Sequence, residues 1–436
     1  MNTNNNANKY DVIIIGSGGA GIMSALSISY NTNYKNILII EKLSYLASKL
    51  KASGGGKCNL TNMLPKDEFL EGFWKNAKFV RNIIDNFDNK DLIKFFDKIG
   101  LETNSLDGFR VFPASKNSKS VINALQNELK KQNIKIHFDE LATKILTNNK
   151  KDNQIIGLKT SKQTYQTDNI VVATGGKGFT KLGGGDDGYN LIKDLGHTIT
   201  PLYPAMLPLI TKEKWVANCT ADTIAKASIK CDKIKKQIFK GDLIFTKNGI
   251  RGPIVLDMAR EISPLLENHK DNKEVEIKVN MTQITNEEKL YQFIKNEASN
   301  SKNIFEIVTK LLPISVATEI LKIVGIEPNI YLKQIKGIKK EELIKTLLWT
   351  PLTIIDTFGF ENAMVTRGGI KLSEIDSKTM QSKLIDGLYF CGEVVDIDGK
   401  CGGYNLQWAF SSGYLVGKNI GDKCRKNNSD SRGKSL

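Results

Sequence analysis

Residues 16 to 21 read Gly16-Ser17-Gly18-Gly19-Ala20-Gly21, three glycines at G-x-G-x-x-G spacing directly after the apolar run YDVIII. The chemistry that asks for this pattern is the cradling of a diphosphate. Gly16 allows a tight turn, Gly18 lets backbone come close to phosphate oxygens, and Gly21 lets the next helix lie against the sheet. The helix opening there points unpaired N–H groups at the anion. Glu41 ends the following apolar run about 20 residues later, where a carboxylate accepts hydrogen bonds from a ribose diol. A glycine turn alone is a weak signal, but strand, turn, helix, strand and acid in this order specify a dinucleotide.

Three further blocks carry polar chemistry. In the first, Ser53, Gly54, Gly55, Gly56, Lys57, Cys58 and Asn59 are followed by Thr61 and Asn62. Successive glycines reach backbone conformations closed to other residues, so their N–H groups converge on a phosphate or a flavin edge. The bland alternative is a flexible loop. In the second, Thr174 and Gly175 end the apolar run DNIVVA, where a chain returns past a bound dinucleotide. In the third, Gly392, Glu393 and Asp396 precede Gly402, Gly403, Tyr404, Asn405 and Leu406, pairing an acidic strand end with a glycine-opened helix. Such a helix N-terminus favours negative charge, as on the pyrimidine of a reduced flavin.

The elements that must hold these blocks follow from periodicity. The apolar runs YDVIIIG from Tyr10 and KNILIIEK from Lys35, with a glycine-opened helix between them, read as a βαβ unit of a parallel sheet. Residues 86–100 and 118–132 have helical periodicity, and a strand begins at Ile134. Short alternating segments from 201 to 254 suggest an antiparallel β unit, and 284–348 return to helical periodicity. The expected fold class is α/β: a Rossmann-type domain interrupted by a β-barrel-like unit and a helical unit. The expected boundaries are 1–199 with 356–421 for the discontinuous dinucleotide-binding domain, 200–283 for the barrel, 284–355 for the helices and 422–436 for a disordered tail.

Composition narrows the function. The 436 residues are 40% hydrophobic and carry a net charge of +15. No apolar run approaches the roughly 20 residues of a membrane-spanning helix, so a soluble, cytoplasmic protein without a membrane partner is expected. The six scattered cysteines suggest neither disulfides nor a zinc knuckle. His137, His197 and His269 are far apart in sequence, which suggests no metal site and no Ser-His-Asp triad. An organic cofactor remains. The positive charge is nearly all lysine, and it reads either as a polyanion-binding surface or as a solvated lysine face.

Taken in order, the blocks SGGGKCNLTN, FPASKNSKSVINAL, ATGG with DGYNLIKDLGHTIT, LIFTKNGIRGPIVLDMAR, VTRGGI and GLYFCGEVVDIDGKCGGYNLQWAFSSG resemble one family from Asp11 to about Gly417. It is the YhiN-like (BaiN/RdsA) NAD(P)/FAD-dependent oxidoreductase family, also labelled aminoacetone-oxidase-like flavoproteins. The resemblance implies non-covalent FAD, with NAD(P)H as a transient electron donor. Carried over residue by residue, it implies FAD contacts from Gly16–Gly21, Glu41 and Lys42, Ser53–Asn59, Thr174-Gly175, Gly392-Glu393 and Gly403–Leu406. By analogy with related flavoproteins, a backbone contact to adenine is expected at Ala142. Two departures stand out: Lys177-Gly178-Phe179 with Gly183-Gly184-Gly185-Asp186 after ATGG, and Cys401.

The activities assigned within that family lead to one expectation with alternatives. The first is NAD(P)H-driven reduction of uridine to dihydrouridine in large-subunit (23S) ribosomal RNA, with RNA phosphates met by Lys226, Lys230, Lys233, Lys235, Lys236 and Lys240 and by Lys333, Lys336, Lys339 and Lys340. Hydride goes to C6 of an extruded uracil and an acid protonates C5. Cys58 is the candidate acid, against the plain reading that it packs inside the glycine loop; Tyr404 and Asn405 are candidates to orient base or flavin. A small-molecule flavoenzyme, aminoketone oxidase or ene-reductase, is the alternative, and an FAD of purely structural use is the third.

Overall fold

A computed structural model describes residues 8–148, 153–234, 237–268, 274–298 and 301–432. The chain divides into two compact units, Met1–Leu202 with Met364–Leu436, and Tyr203–Ala363, each with its own apolar core.

The first unit is built on five parallel strands, β1 (Val12–Ile15), β2 (Ile37–Ile40), β3 (Lys135–His137), β4 (Ile170–Val172) and β5 (Leu388–Phe390), in the order β5-β4-β1-β2-β3. All residues of β1, β2, β4 and β5 are buried, as expected of strands covered on both faces. In a sheet of this order ligands bind beyond the carboxyl ends, where successive connections diverge on either side of β1. The first connection is α1 (Gly19–Asn31), whose residues from Ala20 to Ile28 are buried. A Cβ at Gly21 would stand 2.0 Å from the Gly16 carbonyl oxygen, so only glycine lets this helix start so close to β1.

The closing helix α2 (Tyr404–Arg432) lies along α1. Gly413, Gly417 and Gly421, four residues apart, form the contact stripe. A Cβ on them would come within 2.3 Å of the Ala20 oxygen, 2.5 Å of the Ile28 nitrogen and 2.6 Å of the Asn31 oxygen. The helix runs on through Arg432, so the tail expected to be disordered from 422 is helical as far as it is described. Residues 433–436 lie outside the described residues.

The second unit holds a closed six-stranded barrel of Leu209–Thr211, Gly249–Arg251, Ile238–Thr246, Thr223–Lys230, Val275–Asn280 and Thr350–Thr357, in that order around the ring. The helices Pro253–Asn268, Ile314–Val324 and Gly337–Leu348 turn Ile254, Met258, Val316, Ile320 and Leu347 into the same core. Barrel and helices are therefore one unit and not the two expected, because the last barrel strand follows the helices in sequence. The chain leaves and re-enters the first unit beside itself, with Ile199 bridged antiparallel to Ile370. Among the described residues no helix is long and apolar enough to cross a membrane.

Candidate functional site

An open cleft of about 770 Å³ lies at the carboxyl ends of β1, β2 and β4. Of the residues singled out from the sequence, Gly16, Ser17, Gly18, Glu41, Lys42, Ala142, Thr174 and Gly175 line it.

The three motif glycines answer to different neighbours. Gly16 has φ +103°, and a Cβ there would meet the Ala173 oxygen at 2.5 Å; Gly21 is held by its contact with Gly16. A Cβ on Gly18 would meet no atom of the protein within 4 Å. Folding alone thus accounts for Gly16 and Gly21 but not for Gly18, whose bare Cα faces the cleft beside the first turn of α1, where helix N–H groups have no intrahelical partner. Thr174 Oγ1 is buried in the same wall with no hydrogen-bond partner. A buried hydroxyl left unpaired is costly and calls for a polar partner.

Glu41 is more engaged than the sequence suggested. Its Oε2 accepts from Ser17 N–H (2.9 Å) and Ser17 Oγ (2.6 Å), and its Oε1 from Leu43 N–H (2.9 Å). A carboxylate offers about four acceptor positions, so one remains for a ribose hydroxyl. Lys42 Nζ pairs with Asp187 at 2.6 Å across the cleft. Asp187 follows the stretch that departs from the resembled family, and Leu182, Gly183 and Gly185 of that stretch form a wall. Ser48 Oγ fastens it by donating to the Leu182 oxygen at 2.5 Å.

The Ser53–Asn62 loop and the turn before α2 form a second cluster, outside the lining of the cleft. Gly54, Gly55, Gly56 and Cys58 all have positive φ, so the loop is a set of left-handed turns. With its amide oriented to satisfy both ends, Asn59 accepts from Gly403 N–H at 3.1 Å and donates to the Thr61 oxygen at 2.9 Å. Asn62 donates to the Gly402 oxygen at 2.9 Å, and a Cβ at Gly403 would stand 2.5 Å from Thr61 backbone. Two blocks 340 residues apart are thereby stapled together.

The candidate catalytic residues are placed differently from expectation. Cys58 is fully buried in the core, and burial pushes its thiol up to about 12 against a smaller lowering influence of the Ser53 hydroxyl. A thiol so enclosed meets no substrate, and the plain reading of Cys58 as a residue inside the glycine loop fits the structure. Tyr404 is buried, stacked on Phe69 at 4.8 Å between ring centroids. Asn405 accepts from Gly399 N–H (2.8 Å) and donates to the Gly399 oxygen (2.9 Å), so it braces the Gly399 turn.

Several site residues gave no signal in the sequence. Lys49, one lysine among many, donates to the Gly176 oxygen at 2.8 Å and approaches Glu393 at 3.5 Å. Glu393 Oε1 accepts from Thr366 N–H at 2.8 Å, and a Cβ at Gly176 would stand 2.4 Å from that oxygen. Glu140, at the Ala142 end of the cleft, accepts from Thr160 Oγ1 and from the Tyr165 hydroxyl at 2.9 Å. Away from the cleft, His197 bridges Glu374 (3.0 Å) and Ser382 Oγ (2.8 Å). That Ser-His-Glu line is a structural clasp, since Ser382 Oγ also accepts the N–H groups of Leu384 and Ile385 and is buried.

In the second unit Lys226, Lys233, Lys240, Lys333 and Lys336 are exposed. Lys230 lies 4.1 Å from the Trp349 ring centroid, Lys233 donates to the Glu274 oxygen at 3.3 Å and Lys339 pairs with Glu342 at 2.8 Å. Lys235 and Lys236 lie outside the described residues, as does His269.

A family model described as the HI0933-like protein Rossmann domain matches residues 10–419. A protein of Clostridium scindens named 3-dehydro-bile acid delta(4,6)-reductase is 30% identical over 419 residues, covering 93% of this chain and 97% of its own. A ribosomal RNA dihydrouridine synthase of Escherichia coli is 28% identical over 424 residues, covering 94% and 98%. Among solved structures, a 3-ketosteroid delta1-dehydrogenase from Sterolibacterium denitrificans shares the fold, with TM-score 0.54 at 11% identity, covering 96% of this chain and all of that one.

Proposed function

The chain belongs to the HI0933-like Rossmann family, whose members are flavin-dependent oxidoreductases, and from that premise we propose that it reduces uridine to dihydrouridine in ribosomal RNA at the expense of NAD(P)H. The observation that carries the substrate is the placement of exposed Lys226, Lys233 and Lys240 on one hairpin and loop of the barrel, in a chain of net charge +15 whose full-length relatives include an RNA-reducing enzyme. NAD(P)H and a proton are consumed, and the C5–C6 double bond of the base becomes a single bond.

The cleft fits FAD, as Gly18 and the unpaired Thr174 hydroxyl indicate. When bound, the flavin supplies hydride chemistry that side chains lack. In this reading Gly16–Gly21 and the start of α1 hold the diphosphate. Glu41 takes a ribose hydroxyl, Ala142 backbone meets adenine, and Ser53–Asn59, Thr174-Gly175, Gly392-Glu393 and Gly403–Leu406 surround the rest. Asn59, Asn62 and Asn405 fix the loops around it without touching substrate. Glu41→Ala is expected to weaken FAD retention, and unchanged retention would count against the assignment.

A second reading keeps the same redox chemistry and changes the substrate. The Clostridium scindens relative is named for reduction of a bile acid, and a conjugated enone presents the same activated carbon–carbon double bond as uracil. Two assays decide. Deleting the gene removes a dihydrouridine from large-subunit ribosomal RNA if RNA is the substrate and changes nothing there if it is not. In the latter case, oxidation of NAD(P)H by purified protein with a conjugated enone supports the small-molecule reading.

A further inference from the structure

Resting on the FAD reading above, we propose that Lys49 is the cation that meets the cofactor's diphosphate, by a direct charged hydrogen bond. Lys49 lines the cleft together with Gly16, Gly18 and Thr174. Its ammonium has three N–H groups. One donates to the Gly176 oxygen at 2.8 Å and one faces Glu393 at 3.5 Å. The third has no protein acceptor among the described residues.

The other groups of the cleft leave this charge in place. Lys42 is already paired with Asp187 at 2.6 Å. Glu393 pairs with Lys49 at 3.5 Å and its other oxygen takes the Thr366 N–H, so the ammonium keeps one N–H that neither Gly176 nor Glu393 uses. Location favours the diphosphate over the flavin: Lys49 lines the same cleft as Gly16, Ser17 and Gly18, which precede the first turn of α1. That turn carries the positive end of the helix dipole. The buried, unpaired Thr174 Oγ1 in the same wall is an independent sign of a polar ligand there.

The test uses full-length protein stripped of flavin and titrated with FAD and with ADP, which carries the diphosphate but no isoalloxazine. Lys49→Ala is expected to weaken both ligands about ten- to a hundredfold, as for loss of a hydrogen bond to a charged group, and Lys49→Arg to keep most of the affinity. The loss shrinks at high salt, where charges are screened. Should Lys49→Ala fail to reach the wild-type apoprotein melting curve, Lys49→Gln carries the comparison. Loss of FAD affinity with ADP affinity intact overturns the proposal. Recovery of wild-type affinity in Lys49→Ala/Glu393→Gln also overturns it, since the lysine would then act only by masking a carboxylate. If wild-type protein binds neither ligand, the FAD reading itself falls; if wild type and variant bind both equally, only the role of Lys49 does.

Discussion

Gly18 and Gly21 belong to one motif yet answer to different forces, and substitution separates them. Gly18→Ala adds a methyl that meets no protein atom, so the apoprotein is expected to unfold at the wild-type urea midpoint while FAD affinity drops at least tenfold. Gly21→Ala drives a methyl into the Gly16 oxygen and is expected to lose about 1–3 kcal/mol of stability with or without FAD. Equal unfolding curves for the two variants would refute this division. His197 gives a pH prediction at the same scale. Burial holds its imidazole below the ordinary value near 6.5, with Glu374 opposing. Below about 6.5 the unfolded chain therefore takes up the proton more readily, so stability present above that pH is lost as pH falls through the folded value. Thermal melts from pH 7.5 to 5 should fall more steeply for wild type than for His197→Gln.

Elements add what single residues do not. The contact of α2 with α1 depends on three glycines four residues apart, and ridges of one helix enter grooves of the other only as closely as those side chains permit. Gly417→Ala puts a methyl 2.5 Å from the Ile28 nitrogen and is expected to cost about 1–3 kcal/mol in urea unfolding. Because α2 begins at Tyr404, beside the turn stapled by Asn59 and Asn62, the same variant should also speed FAD release in stopped-flow exchange. Destabilisation without faster release would place the two ends of α2 in separate cooperative segments. The capping boxes of the helices Asn89–Lys98 and Ile304–Val308, Asp88 with Asp91 and Asn303 with Glu306, show where local chemistry alone sets a boundary.

For the molecule as a whole, two separate cores mean that each unit buries its own apolar surface. Replacing residues 203–363 by a short linker joins segments that already lie side by side at Ile199 and Ile370, and the shortened chain is expected to bind FAD within about threefold of wild type. It should not bind RNA. In the full chain, Lys226→Ala and Lys240→Ala are each expected to weaken RNA binding uniformly across sequences and to lower the salt slope by about 1. Unchanged slopes would return these lysines to a solvated face and leave the smaller substrate standing.

The chain's dinucleotide unit was legible from its sequence because strand burial, glycine turns and the terminal acid Glu41 are local properties, written within about 30 residues of each other. The interruption by β and helical segments was legible from periodicity, but their fusion into one core was not, since the strand Thr350–Thr357 pairs with Val275–Asn280 across the intervening helices. Likewise a sequence offers Cys58, Tyr404 and Asn405 as polar groups near glycines, and only tertiary burial makes them core and bracing residues. Lys49 shows the reverse: nothing in its neighbours distinguishes it, and its ammonium gains meaning when folding brings Gly176 and Glu393, 127 and 344 residues away, to within reach of one charge.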